Sequence, residues 1–262
     1  MSHLECAVRP GDMTSEMTVL VTGASGTLGT AVLPRLAKDG HNARPTSRRA
    51  KPGWVCVDLA SGAGVTQAVR GVEAIVHLAS GGGRNRQTDV AGTHRLITAA
   101  KTAGVRHFLY VSIVGVDRVP LGYYRTKLAA EARVHAGEVP WTILRATQFP
   151  QLVDQMITFS GRLGVLVEDR SLLVQPVAIE DVADRIAGLL AEGPAGAIEF
   201  GGPSALRFGE LAQAWQRARG TSKPVFPIRL PGRIGAAVRA GALTTTAQPT
   251  GTRTWQDYLD GR

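Results

Sequence analysis

Val19–Gly29, with the sequence VLVTGASGTLG, decides the fold of this 262-residue chain. A short β-branched run predicts a strand, and the glycine-rich turn after it opens onto a helical pattern. Gly23 suits a tight turn, Gly26 lets a pyrophosphate approach the main chain, and Gly29 lets the helix pack on the strand. The N-terminus of that helix directs N–H groups and partial positive charge toward phosphates. The turn therefore predicts a dinucleotide site made by Gly23, Ser25, Gly26, Thr27, Leu28 and Gly29.

The rest of the chain repeats this strand–helix pattern. Apolar runs predict strands at residues 18–22, 54–57, 74–79, 107–111, 141–145 and 197–200, and helical spacing predicts helices at 27–38, 88–103 and 208–219. A weaker strand is expected at residues 42–46, although Pro45 cannot donate to a ladder. The predicted fold class is α/β, a doubly wound parallel sheet of the Rossmann type with a small C-terminal substrate-binding part.

Three segments are expected along the chain. Residues 1–16 are polar, lack the apolar stretch of a signal peptide, and are interpreted as a disordered leader. Residues 17–150 should form the dinucleotide-binding core. Residues 151–262 should form a substrate-binding part integrated with the same domain.

Composition excludes several function classes. The two cysteines and six scattered histidines match no disulfide framework or metal motif, so no metal is expected. The net charge of +9 favours anion binding, but the basic residues are dispersed and nucleic acid is not the expected partner. Without a run of about 20 apolar residues, no membrane association is expected, and the predicted location is cytoplasmic.

The residues after the weak strand predict the choice of cofactor. Enzymes that prefer NAD place a carboxylate near this position to bind the ribose 2′-hydroxyl. This chain has Ser47, Arg48 and Arg49 instead, and a guanidinium can bind a 2′-phosphate through two hydrogen bonds. The sequence therefore predicts NADP(H), with Arg48 as the contact.

Three side chains form the catalytic candidate. Ser112 follows the strand predicted at residues 107–111, and Tyr123 and Lys127 are four residues apart on one predicted helix face. Reduction of a carbonyl needs a proton for the developing alkoxide, and a nearby ammonium would lower the pKa of a tyrosine toward neutrality. Tyr123 is the expected acid, with Tyr124 as the alternative one position away.

Together with the glycine turn, this set resembles the Ser–Tyr–Lys site of short-chain dehydrogenase/reductases. The G-x-x-G-x-x-G spacing is similar to that of their extended and atypical groups, including NmrA-like proteins. No asparagine lies on the predicted 88–103 helix, which departs from the classical proton relay. The segment 173–183, a strand turning into an acidic helix start, also resembles these groups.

The resemblance implies further contacts. Asp58 is expected to reach the adenine amino group, or alternatively to cap a helix, with Leu59 beside it. Ala79 and Ser80 should pass over the cofactor, and Lys127 should hold the nicotinamide ribose. Gln148 and Phe149 should line the substrate pocket, although core packing is the alternative for Phe149. Residues 231–243 are expected to cover the pocket or form an interface, and residues 244–251 to form a mobile loop.

The function expected from these features is NADPH-dependent reduction of a carbonyl or quinone-type small molecule. Two alternatives remain: a non-catalytic NADP-binding regulator like some NmrA-like proteins, and, ranked last, a nucleotide-sugar epimerase. Because related folds often pair through helices, a homodimer is one expected assembly.

Overall fold

A central parallel sheet organises the molecule. The computed structural model describes residues 16–81, 87–162 and 164–261, with the main chain alone at residues 87 and 88. Most of the expected leader, residues 1–15, therefore lies outside the described residues. Seven strands within these ranges form the sheet: β1 (Thr18–Thr22), β2 (Asn42–Ser47), β3 (Val55–Cys56), β4 (Ala74–His77), β5 (His107–Ile113), β6 (Trp141–Ala146) and β9 (Gly196–Phe200). Their spatial order is β3-β2-β1-β4-β5-β6-β9.

Helices cover both faces of this sheet, which confirms the doubly wound fold. The helices are α1 (Gly29–Lys38), α2 (Val65–Ala68), α3 (Thr93–Thr102), α4 (Gly122–His135), α5 (Pro150–Ser160), α6 (Ile179–Glu192), α7 (Phe208–Ala218), α8 (Gly232–Arg239) and α9 (Trp255–Asp260). Side chains alternate across a strand, so Val19 packs with α1 and α6 while Leu20 packs with α3 and α4. Each face of the sheet is therefore buried.

A third core lies within the C-terminal residues. It contains Val153 and Ile157 of α5, Trp215 of α7 and Trp255 of α9. Two small sheets complete this part, pairing β7 (Leu166–Glu168) with β11 (Val225–Pro227), and β8 (Leu173–Val174) with β10 (Leu206–Arg207). Because β9 joins the main sheet beside β6, the C-terminal half also contributes to the Rossmann core.

The weak strand exists despite its proline, and its register explains why. Asn42 N donates to Met17 O on the β1 side, so alternation turns the nitrogen of Pro45 toward β3. There β3 pairs only with Thr46 and Ser47. The pairing begins beyond Pro45, and no ladder bond is lost.

Several expected boundaries need correction, among them the strand expected at 74–79, which ends at His77. The helix expected at 88–103 begins as a π-helix, Gln87–Gly92, and becomes α-helical only from Thr93. The strand expected at 54–57 is reduced to Val55–Cys56. Most important, β5 continues to Ile113, so Ser112 lies within the strand, opposite Arg145 of β6, rather than after its end.

Buried Asp181 secures the start of α6. Its carboxylate accepts hydrogen bonds from Thr252 N and Arg253 N and pairs with the Arg253 guanidinium. This agrees with a structural role for the acidic helix start. The neighbouring loop, expected to be mobile at 244–251, is bound by Thr245 N donating to Gln175 Oε1 and Gly251 N donating to Gly201 O.

Candidate active site and cofactor crevice

Two adjoining cavities open at the carboxyl ends of the parallel strands, where ligands of such sheets bind. The smaller has a volume of about 500 Å³ and the larger about 630 Å³. We call them the nucleotide cavity and the apolar cavity. Gly23, Gly26, Leu78 and Ser80 line both, so the two form one continuous crevice.

Main-chain geometry explains the glycines of the turn. Gly23 has φ +68°, and a Cβ there would lie 2.7 Å from Ala79 N. A Cβ on Gly29 would lie 2.5 Å from Gly23 O, so both positions exclude a side chain. The turn therefore needs glycine for its own close packing, before any ligand is considered.

The start of α1 fits a pyrophosphate. This helix has no side-chain cap and no acidic residue in its first turn. Its first N–H groups face the crevice and can donate to an anion. No carboxylate of this turn stands beside them to repel that anion. Thr27, Leu28 and Gly29 line the apolar cavity, whereas Ser25 lines the nucleotide cavity. The residues present fit a dinucleotide.

The nucleotide cavity collects the expected adenosine-side residues. Its wall includes Arg48, Asp58, Leu59 and Ala79, with the Arg48 side chain exposed. Asp58 is not a helix cap, because α2 is capped at Gly64. Its carboxylate instead accepts hydrogen bonds from Ser61 Oγ and Ala60 N, and these lower the pKa of Asp58. Its contact with adenine stays a prediction.

Ser112, Tyr123 and Lys127 all line the apolar cavity beside the glycine turn. Ser112 is 3% exposed, and its hydroxyl has no hydrogen-bond partner among the described residues. A buried unsatisfied polar group is costly. Because Ser112 is also one of the residues that line the apolar cavity, its contact with a substrate oxygen stays a prediction.

Lys127 is almost fully buried beneath this wall. Its Nζ donates to Val111 O over 2.8 Å and lies 4.3 Å from the centre of the Tyr110 ring. Burial lowers the pKa of Lys127 to about 8, although Asp89 and Glu131 act to raise it. The hydrogen bond and the ring contact thus hold the Lys127 ammonium at this wall.

The expected lowering of the tyrosine pKa is not found. Burial raises the pKa of Tyr123, the hydrogen bond with Ser80 lowers it, and Asp89 raises it further. The Tyr123 hydroxyl lies 3.0 Å from Ser80 Oγ, whereas the Lys127 ammonium is bound to Val111 O. Tyr124, the alternative acid, lines the same cavity, and burial raises its pKa to about 12.

Gln148 and Phe149 both lie in the wall of the apolar cavity. The Gln148 amide is bound internally, since Oε1 accepts from Gln175 N and Nε2 donates to Leu243 O. Phe149 also packs against the core on the α1 side, as the core-packing alternative expects. Contact of either residue with a substrate stays a prediction.

The C-terminal elements supply the rest of the apolar cavity. Ile234 and Val238 of α8 line it together with residues of α5 and α7. The role of the segment 231–243, as a cover of the pocket or as an interface, stays a prediction. The side chains that these C-terminal elements contribute to the cavity are apolar. The walls from these elements are Leu152, Val153, Met156, Leu172, Val174, Phe208, Leu230, Ile234, Val238 and Leu243.

Comparison with known proteins decides the family. The family model described as NAD(P)H-binding matches residues 23–193, which include the glycine turn and the Ser–Tyr–Lys set. The chain belongs to this NAD(P)H-binding family. The predicted nicotinamide dinucleotide cofactor is thereby confirmed.

The curated relatives of this NAD(P)H-binding protein include two different reductases. It is 34% identical to a divinyl chlorophyllide a 8-vinyl-reductase of rice over 72% of this chain and 55% of that protein. It is 32% identical to the 2-alkyl-3-oxoalkanoate reductase of Stenotrophomonas maltophilia over 46% of each. The chain spans about half the length of these relatives.

Solved structures show the same fold. The NADPH complex of the Escherichia coli quinone oxidoreductase QOR2 has a TM-score of 0.74 at 19% identity, covering 93% of this chain and 99% of that one. A short-chain dehydrogenase/reductase from Agrobacterium tumefaciens with bound NAD has a TM-score of 0.70 at 22% identity, with coverages of 93% and 95%. The resemblance to short-chain dehydrogenase/reductases is confirmed at the level of the fold.

Two buried residues of this NAD(P)H-binding protein escaped the sequence analysis. Asp89, in the π-helical turn, accepts hydrogen bonds from Gly81 N and acts on the pKa values of Lys127 and Tyr123. The sequence analysis noted only that the predicted 88–103 helix has no asparagine. The structure places a buried carboxylate near the start of that helix.

The second is His77 at the end of β4. It lies 2.6 Å from Thr22 Oγ1 through Nδ1 and 2.9 Å from Thr93 Oγ1 through Nε2. Burial, and then the Lys127 charge, lower its pKa to about 3, so it is neutral and joins β1, β4 and α3. The one available signal was a histidine within an otherwise apolar strand.

A search for membrane-crossing segments among the described residues finds no helix of sufficient length and apolar character.

Proposed function

We propose that this chain is an NADPH-dependent oxidoreductase that reduces a carbonyl or quinone-type small molecule by hydride transfer. The observation that carries the proposal is the convergence of Ser112, Tyr123 and Lys127 on one cavity that the glycine turn also lines. Such convergence of chemistry-bearing side chains and a cofactor site is what a catalytic assignment requires. The names of the reductases and the quinone oxidoreductase among its relatives support the same reaction class.

Bound NADPH supplies the hydride, and the protein's own residues manage the oxygen and the proton. The Ser112 hydroxyl donates a hydrogen bond to the substrate oxygen. Because its raised pKa keeps Tyr123 protonated, this residue can give its proton to the oxygen as negative charge develops there. Ser80 Oγ, 3.0 Å away, is the neighbouring group through which a proton can return. Lys127 holds the nicotinamide ribose.

The preference for NADPH over NADH rests on Arg48. Its guanidinium stands at the wall of the nucleotide cavity and is exposed enough to meet a 2′-phosphate. Asp58 on the same wall is already hydrogen-bonded within its own turn. Its carboxylate is therefore less available to a ribose hydroxyl.

Substitution of the two neighbouring tyrosines tests the proposal. NADPH oxidation is followed with a ketone or naphthoquinone acceptor for the wild type, Tyr123→Phe and Tyr124→Phe. We expect Tyr123→Phe to lower kcat by about 10²–10⁴-fold, the usual contribution of a positioned acid, while NADPH binding changes less than about twofold. Tyr124→Phe is the matched control and should retain most activity.

Two outcomes would contradict the proposal in different ways. Loss of activity in Tyr124→Phe alone would assign the acid to the neighbouring position. Tight NADPH binding without turnover of any carbonyl, quinone or sugar nucleotide would support the regulator alternative.

A further inference from the structure

The charged side chain and most polar side chains of the described lining lie on one wall of the apolar cavity. Ser80, Ser112, Tyr123 and Lys127 come from strand ends and α4, beside the glycine turn. Beyond them, the described lining contains no charged side chain. The walls supplied by the C-terminal elements are represented by Leu152, Met156, Phe208, Ile234, Val238 and Leu243.

Of the remaining polar side chains, Thr27 and Tyr124 belong to the glycine turn and to α4, beside the same wall, whereas Gln148 and Thr147 are already bonded. Both ends of the Gln148 amide are used by Gln175 N and Leu243 O. Thr147 Oγ1 accepts from Gly202 N over 3.4 Å. A substrate would therefore find hydrogen-bond partners at the Ser112 and Tyr123 wall and hydrocarbon elsewhere.

The opening of this cavity is also apolar. Leu152 and Met156 of α5 line the cavity while remaining 49% and 48% exposed, so they form its rim. Large exposed apolar side chains around a concave site mark a surface that apolar ligands cross.

We propose that the substrate is an uncharged, largely hydrocarbon molecule with its reducible oxygen at one end, an inference that rests on the proposed function. The oxygen lies against Ser112 and Tyr123, and the body extends between α5 and α8 toward Leu152 and Met156. A substrate carrying a diphosphate or carboxylate in its body would bury that charge in hydrocarbon, which is costly without a partner. This geometry disfavours nucleotide sugars.

Matched ligand series test the proposal. The probes are 2-alkanones from 2-butanone to 2-decanone and 2-alkyl-1,4-naphthoquinones of increasing chain length, each paired with its ω-carboxylate, for example 9-oxodecanoate for 2-decanone. Turnover is measured with NADPH, and binding to the protein saturated with NADP⁺ is measured by calorimetry. We expect the affinity of the neutral series to rise by about fourfold per buried methylene. The carboxylates should bind at least about tenfold more weakly than their neutral partners.

Two substitutions on α5 introduce the same charge, one at the rim of the cavity and one away from it. Met156→Lys puts an ammonium at the cavity opening, whereas Phe159→Lys puts one on the same helix at a residue that is 69% exposed and absent from the lining. Met156→Lys should weaken binding of the longest neutral ligand by about fivefold or more. It should also reduce the ratio between the affinity of this ligand and that of its paired carboxylate. Phe159→Lys should change neither by more than about twofold.

The two readouts separate this inference from the proposed function. Chain-length-dependent binding without turnover would support the apolar substrate and contradict the reductase. Turnover that does not depend on chain length, or that is faster with the carboxylates, would overturn the inference of an apolar substrate. It would leave the proposed reductase function standing. Absence of both binding and turnover in every series would also overturn the inference of an apolar substrate.

Discussion

The nucleotide cavity and the apolar cavity adjoin each other, but the chain builds them differently. The first is lined by residues between 22 and 81, drawn from the ends of β1 to β4 and the loops after them. The second draws on residues from 23 to 243, including α5, α7 and α8. The described lining of the first combines three glycines with polar residues such as Arg48 and Asp58, whereas that of the second consists mostly of apolar residues. A local sequence motif therefore predicts the ligand of the nucleotide cavity. The ligand of the apolar cavity depends on how distant segments pack and cannot be predicted from such a motif.

The largest expected effect tests whether the nucleotide cavity depends on main-chain geometry. We expect Gly23→Ala to weaken NADPH binding by at least about 100-fold, or about 2.7 kcal/mol, because the new Cβ would lie 2.7 Å from Ala79 N. Binding is measured by nicotinamide fluorescence and stability by urea unfolding.

Gly40→Ala is the matched control for that substitution. Gly40 also has positive φ, +79°, but no heavy atom lies within 4 Å of an added Cβ. It should lose only about 1–2 kcal/mol of unfolding free energy and keep its NADPH affinity. Equal effects of the two substitutions would show that backbone strain, not the close approach, governs the turn.

Next in size is Ser112→Ala at the junction of the two cavities. We expect kcat/KM to fall about 100-fold, as when one donor to a developing oxyanion is removed, with NADPH affinity unchanged. The free energy of unfolding should not fall, because the buried hydroxyl has no partner among the described residues to lose. Steady-state kinetics and urea unfolding check both parts. A clear loss of stability would mean that the hydroxyl serves the fold.

The smallest expected effect concerns Arg48, the one arginine in the described lining of the nucleotide cavity. Arg48→Ala should weaken NADPH binding about tenfold, or about 1.4 kcal/mol, and leave NADH binding unchanged. Arg49→Ala is the control, because Arg49 is exposed and absent from the described lining. Fluorescence titration with both nucleotides measures the preference. An unaltered preference in Arg48→Ala would remove the basis for choosing NADP.

The sequence was most reliable where its signals are local. The glycine turn, β1 and most of α1 follow from spacing over about twelve residues, and each lies where expected. The sequence was less reliable at the catalytic wall. Ser112 was placed after its strand because apolar character falls there, but pairing with β6 extends β5 to Ile113.

Electrostatic environment was the least predictable property. Lys127 was expected to lower the pKa of Tyr123, but its side chain is bound to Val111 O and burial dominates both groups. Asp89 and His77, which interact electrostatically with Lys127, carry no recognisable motif. Their importance comes from contacts with residues such as Gly81 and Thr22, at the ends of other strands or in the loops after them.

The sequence by itself determined the Rossmann-type fold, the dinucleotide turn and the identity of the Ser–Tyr–Lys candidates. These depend on residue spacing within single strand–turn–helix units, where geometry follows directly from the chain. Only the tertiary structure decided that Ser112 is buried without a partner among the described residues, that Tyr123 lies against Ser80, and that the described walls from the C-terminal elements hold no charged side chain. Those properties depend on which distant segments pack together, because burial, pKa and cavity shape are set by neighbours in space.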